Sequence, residues 1–152
     1  MFCRARIQPK VKSFIWRFAR GIVPTKEALA RRHVQLPNQV CAFCEGELET
    51  DLHLFKNCNV VACFWLYSTL GLKARNHQSS SLSGWILDMM EVLRAQQLDI
   101  FFMAAWTIWV ERNNAVWNGS DFVPVHAASW SMNLHEYQMQ SSDQFSVTQS
   151  ID

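Results

Sequence analysis

Apolar residues recur at helical spacing along most of this chain of 152 residues. Val11, Phe14, Ile15, Phe18 and Ile22 form one stripe, and Lys10, Lys12, Arg17 and Arg20 fall on the other side. That pattern predicts an amphipathic helix with a basic back. Gly21 is placed to end it. Pro24-Thr25 then opens a second, short helix with Thr25 as N-cap, Glu27 in the first turn and Arg31-Arg32 in the last, a charge order that suits the helix dipole. Pro37-Asn38 is expected to stop it. From Val40 to Glu49 no helical period is sustained, and Cys-x-x-Cys followed by Gly46 reads as a tight knuckle or short hairpin. Helical spacing resumes at Thr50 and runs through Val61, Phe64, Trp65 and Leu72, with an interruption expected near Asn57 to Asn59.

The second half follows a Ser-rich stretch from Asn76 to Ser83. Trp85, Ile86, Met89, Met90 and Leu93 make one helical face. Asp99 is placed to cap a further helix whose broad stripe holds Phe102, Trp106, Trp109, Val110, Asn113, Val116 and Trp117, closed by Asn118-Gly119. Pro124 suits the first turn of a last helix, with Val125, Ala128, Met132 and His135 on one side. No internal repeat or strand pair is evident. The expected class is mostly α: a small helical domain with an irregular, metal-type Cys-x-x-Cys knuckle, followed by further amphipathic helices. The expected divisions are a domain over residues 1–75 that carries the basic helices and the knuckle, a Ser-rich linker over 76–83, a helical segment over 84–140 and a flexible tail over 141–152.

Composition narrows the class. With 49% hydrophobic and 18% charged residues, seven Trp and ten Phe, the chain is too apolar and aromatic for disorder over most of its length. Its length suits about one domain. The longest run without Asp, Glu, Lys or Arg is the 16 residues from Asn57 to Leu72, short of the roughly 20 apolar residues that span a bilayer. No membrane helix is expected. The basic start, Met1 to Lys12, lacks the apolar core of a secretory signal. A nuclear or cytoplasmic setting follows as the expectation, with the five Cys as thiols or metal ligands rather than disulfides.

Charge is balanced in total and uneven in place. Residues 1–40 carry nine basic residues and one acid, Glu27, for a net +8, whereas the remainder is −7. A basic head on an acidic body suits a polyanionic partner such as RNA or DNA. Lys10, Lys12, Arg17 and Arg20, extended by Arg31 and Arg32, are the candidate contacts. Trp16 lies about 40° around the helix from Lys12 and Arg20, at the edge of the apolar stripe. Core packing is the expectation for it, and stacking on an unpaired base is the alternative.

The most informative cluster is Cys41, Cys44, His53 and Cys58, spaced Cys-x2-Cys-x8-His-x4-Cys. A two-residue gap lets a turn aim both thiolates at one tetrahedral ion. His53 and Cys58 are five positions apart, about 140° on a continuous helix, so they reach the same ion only if the helix ends between them, and Asn57 is the expected place for that end. Three thiolates and a neutral imidazole favour Zn(II) and leave no open position for a catalytic water. Such a site is structural. Cys63 is a second candidate in place of His53, although its place amid Val61, Phe64 and Trp65 suggests core. Glu45, Glu47, Glu49 and Asp51 beside the thiolates read as a solvated loop face.

Pro9-Lys10-Val11-Lys12-Ser13-Phe14-Ile15-Trp16-Arg17, Pro24-Thr25, Leu29, Arg32, Cys41-x2-Cys44, Glu49-Thr50-x-x-His53-Leu54-Phe55-x-x-Cys58 and Trp65 occur in order. Together they resemble the reverse-transcriptase zinc-binding domain of plant LINE-type (non-LTR) retroelements. The resemblance implies zinc held by Cys41, Cys44, His53 and Cys58, a nucleic-acid-binding role, and descent from a larger retroelement protein. Trp106-x-x-Trp109-x-x-Arg112-Asn113-x-x-x-Trp117 is similar to the segment leading into a ribonuclease H-like domain. The chain has no Asp-Asp pair of the kind a polymerase uses to hold two metal ions, so a non-catalytic module is expected. The alternative is a structural or protein-interaction domain that uses the Phe102 to Trp117 helix as its contact surface.

Overall fold

The computed structural model describes the backbone of residues 8–149 and their side chains, apart from those of 137–139 and 141–149. Cys3, Arg4 and Arg6 of the basic head, and residues 150–152 of the expected tail, lie outside the described residues. Six α-helices follow in order: α1 (Pro9–Arg20), α2 (Lys26–Arg31), α3 (Asn59–Tyr67), α4 (Leu82–Val92), α5 (Ala95–Asn118) and α6 (Pro124–Gln149). A π-helical turn, His53–Asn57, precedes α3. Among the described residues, β pairing is confined to one antiparallel bridge, Val40 to Leu48. The mostly α class expected from the sequence is the class observed.

Helix α1 starts with Pro9 in its first turn, where the missing N–H costs nothing. It ends at Gly21, whose φ of 66° lets its N–H and that of Ile22 return to the carbonyls of Phe18 and Arg17. Val11, Phe14, Ile15 and Phe18 are buried as the stripe requires. Ile22 is not: it is 40% exposed, because the left-handed turn takes the chain off the helix, and Val23 fills the buried place. Thr25 caps α2 by accepting from the Ala28 N–H. That helix stops six residues before Pro37, when His33 turns left-handed at φ 62° and Val34 N–H bonds to Leu29 O.

The core is aromatic and continuous across the Ser-rich stretch. Phe18 stacks on Phe14 at 5.6 Å and meets Phe55 edge-on at 4.9 Å. Trp65, from before that stretch, meets Trp85 and Phe101, from beyond it, at 5.7 and 5.3 Å. Ser81 caps α4 by accepting from Gly84 N–H, and Leu82 is buried at once.

Helix α5 begins at Ala95, four residues before Asp99, because the Gln97 side chain accepts the Arg94 N–H and secures the first turn. Its N-terminal half is buried nearly all round, from Leu98 through Ile108, as befits a helix set against α1 and α6. Phe102 is therefore core, Trp106 and Trp109 are half-buried, and Trp117 at the far end is 78% exposed. Helix α6 packs on α3 and α5 through Ala127, Ala128 and Ser131. Val125 and Met132, expected on the inner face, are exposed, since small side chains permit the closer approach of two helices. Its helical backbone runs through Gln149, into the segment expected as a tail, and neither Pro nor Gly interrupts it. No helix among the described residues is long and apolar enough to cross a membrane.

Candidate metal centre

The sulfurs of Cys41, Cys44 and Cys58 and a ring nitrogen of His53 lie within 4.8 Å of one another. The Cys41 and Cys58 sulfurs are 3.9 Å apart, and Cys44 Sγ is 3.3 Å from His53 Nε2. A zinc tetrahedron with arms of about 2.3 Å to sulfur and 2.0–2.1 Å to nitrogen has edges of about 3.8 Å and 3.6 Å for such pairs. The donor set and its spacing therefore fit a tetrahedral soft-to-borderline cation. Cys63 is exposed on α3 and stands outside the group, where the apolar neighbours of α3 in sequence had suggested core.

Local backbone chemistry aims these ligands. The Val40 to Leu48 bridge closes a miniature hairpin, and Cys41 N–H donates to Glu47 O at 2.7 Å. Glu45, rather than Gly46, takes the left-handed conformation, at φ 56°, while its N–H returns to Cys41 O. On the opposite side, Thr50 Oγ1 accepts the His53 N–H at 3.0 Å and starts the helical turn. The turn is π-type, with Cys58 N–H bonded to His53 O, so Cys58 comes back over His53. Cys58 itself is extended, which ends the turn between the two ligands as their separation demanded.

Cys41 and Cys58 are fully buried, whereas Cys44 and His53 are half-buried. The Cys41 thiol donates to the Cys58 sulfur; this bond, together with burial, pushes the Cys41 pKa up, and against the effect of burial it pulls that of Cys58 down. Burial also lowers the His53 pKa below its usual value, partly offset by Glu47 and Glu49, and so favours the neutral ring that a metal requires.

Glu49 is the residue that the sequence pattern misassigned. It is not part of a solvated acidic face but fully buried. Its Oε1 accepts from Lys26 N–H at 2.9 Å and from Arg112 Nε and Nη2 at 3.1 and 2.6 Å; its Oε2 accepts from Ala42 N–H at 3.2 Å. One carboxylate thus joins the start of α2, the Cys-x-x-Cys turn and α5. Lys26 Nζ adds a strap to Val40 O and Asn38 Oδ1. Glu45 and Glu47 are exposed, as expected of a loop face.

Lys10, Lys12, Arg17 and Arg20 are all exposed on α1, opposite its buried stripe. Trp16 lies among them, 54% exposed, with the Arg20 guanidinium 4.6 Å from its ring centroid. Contrary to the expectation from the sequence, it neither lies at the edge of the apolar stripe nor packs in the core, because its position centres on the face turned away from Val11, Phe14, Ile15 and Phe18. Arg31 and Arg32 are exposed at the end of α2, where Arg31 pairs with Glu27 at 2.9 Å.

Three thiols and an imidazole gathered around one point in a helical domain make a cluster that could hold a metal ion. Residues 1–65 match the family described as zinc-binding in reverse transcriptase, in agreement with the resemblance carried by the motifs. The chain is also similar to an Arabidopsis thaliana protein that carries the name of a ribonuclease H protein, 31% identical over 85 residues. That match covers 56% of this chain and 14% of the plant protein. No solved structure matches the chain.

Proposed function

We propose that this chain is a non-catalytic, zinc-stabilised module that binds single-stranded RNA or DNA through the exposed face of α1. Cys41, Cys44, His53 and Cys58 would hold Zn(II), which supplies folding energy and no open coordination position. The observation that carries the reading is the placement of Lys10, Lys12, Arg17 and Arg20 together in solvent, with exposed Trp16 among them. Cations held on a rigid helix meet phosphates without base readout, and an exposed indole adds sequence-tolerant stacking. Arg31 and Arg32 are candidate additional contacts. The match to a zinc-binding region of reverse transcriptases supports the same assignment.

The test is titration of a fluorescent single-stranded oligonucleotide with the zinc-loaded chain over a range of salt concentrations. Affinity that falls linearly in log–log form as salt rises supports the proposal. Absence of binding at low salt contradicts it.

A further inference from the structure

A small cleft opens beside the basic face, between α1 and α5. Its volume is about 200 Å³, and it is lined by Lys10, Ser13, Phe14 and Arg17 of α1 and by Trp106 and Trp109 of α5, with Val23-Pro24 completing the wall. Among the described residues no carboxylate lines it. Its aromatic wall is held from behind. Phe14 lies 5.5 Å from Trp106 and 6.4 Å from Trp109, and the Arg112 guanidinium, itself fixed by Glu49, sits 4.8 Å from the Trp109 ring. Lys10, Ser13 and Arg17 are exposed, whereas the two indoles are half-buried.

We infer that this cleft is a docking site for one unpaired nucleobase of a single-stranded polynucleotide, with the adjoining phosphates on Lys10 and Arg17. The inference rests on the proposed nucleic-acid binding and names where a base enters. Indole walls favour a flat π-system, and two cations without a carboxylate favour a ligand that is also anionic. At about 200 Å³ the cleft is smaller than the roughly 300 Å³ at which pockets for drug-sized ligands begin, so it suits one ring system rather than a whole free nucleotide. The Ser13 hydroxyl both donates and accepts, which permits a hydrogen bond to any base edge and imposes little sequence preference. Duplex DNA, with its bases stacked inward, cannot fill the cleft. Lys12, Trp16 and Arg20 run along the crest of α1, while Lys10, Ser13 and Arg17 run along the flank toward α5, so a strand following the crest can turn one base down into the cleft.

Two measurements on the full zinc-loaded chain test this. In the first, a single-stranded DNA 12-mer carrying 5-iodouracil is photocrosslinked and the protein digested with trypsin. Cleavage at Arg94 and Arg112 places Trp106 and Trp109 in one peptide, and cleavage at Lys12 and Arg17 places Trp16 in another. The expected crosslink lies at Trp106 or Trp109 in the 95–112 peptide, located by fragmentation; crosslinks confined to Trp16 of the 13–17 peptide, or to residues that do not line the cleft, overturn it. In the second, Ser13→Phe fills the cleft from its exposed rim and keeps every cation. Single-strand affinity should fall about tenfold, with duplex affinity and salt slope unchanged. Parental single-strand affinity in Ser13→Phe overturns the cleft but leaves the broader binding proposal standing. A parent chain that binds neither single strand nor duplex overturns both.

Discussion

Arg112 and Glu49 stand 63 residues apart and meet at 2.6 Å inside the protein, where neither side chain is more than 5% exposed. Their contact fastens the Cys-x-x-Cys knuckle to the long helix that supplies Trp106 and Trp109. The carboxylate also holds the first N–H of α2 and the Ala42 N–H within Cys-x-x-Cys, so the charge is satisfied on several sides. Burying an ion pair need not add net stability, but removing one partner leaves an unpaired charge in a place water does not reach.

Arg112→Ala is therefore expected to destabilise the fold by about 3–5 kcal/mol. A replacement of both partners by apolar residues, Glu49→Leu with Arg112→Met, should cost less than the sum of the single changes. Urea unfolding of the zinc-loaded variants measures both quantities. Additive losses would mean that the two side chains do not act as a pair.

Trp16 and Trp65 should respond oppositely to truncation. Trp16→Ala removes an exposed indole and is expected to change stability by less than about 0.5 kcal/mol. Trp65→Ala empties a fully buried position, and removes the indole N–H that donates to Phe55 O, at a cost of about 3–5 kcal/mol. Thermal unfolding of the two variants side by side checks the contrast.

Metal content should follow the clustered ligands. The purified chain is expected to hold one equivalent of zinc, to lose it in Cys58→Ser and to keep it in Cys63→Ser. Elemental analysis after gel filtration decides. Retention in Cys58→Ser together with loss in Cys63→Ser would reassign the fourth ligand.

Removal of zinc by a chelator should raise hydrogen exchange from residue 39 to residue 58, where the ligands bridge the hairpin and the π-type turn. Helices α4 and the N-terminal half of α5 contribute no ligand and pack through Trp85 and Phe101, so their amides should stay protected. Uniform loss of protection along the chain would make the metal a determinant of the entire fold rather than of the knuckle.

Local chemistry was legible in the sequence wherever one residue decides it. Gly21 stops α1, Thr25 caps α2, and the ligand spacing required a helix end that a π-type turn and an extended Cys58 provide. What depends on distant neighbours was not legible. Glu49 sits in an acidic run that resembles a solvated loop, and no periodicity announces that Arg112 will bury it. Apolar neighbours made Cys63 look like core, but in a helix they fill the opposite side and leave it in solvent. Helix α6 buries alanines rather than its larger Val125 and Met132, a choice set by the close approach of α3 and α5 and not by hydrophobicity along the chain.

The most direct test of the proposed function compares the parent chain with Lys12→Ala, Arg17→Ala, Arg20→Ala in one triple variant, with affinity for a single-stranded oligonucleotide measured from low to high salt. All three changes are at exposed positions, so zinc content and unfolding midpoint should match the parent. Each lost phosphate contact should make the log–log salt slope shallower by about 0.7 and weaken binding at low salt with little regard to sequence. A triple variant that keeps its zinc and fold and binds as tightly as the parent at every salt concentration would contradict nucleic-acid binding through α1.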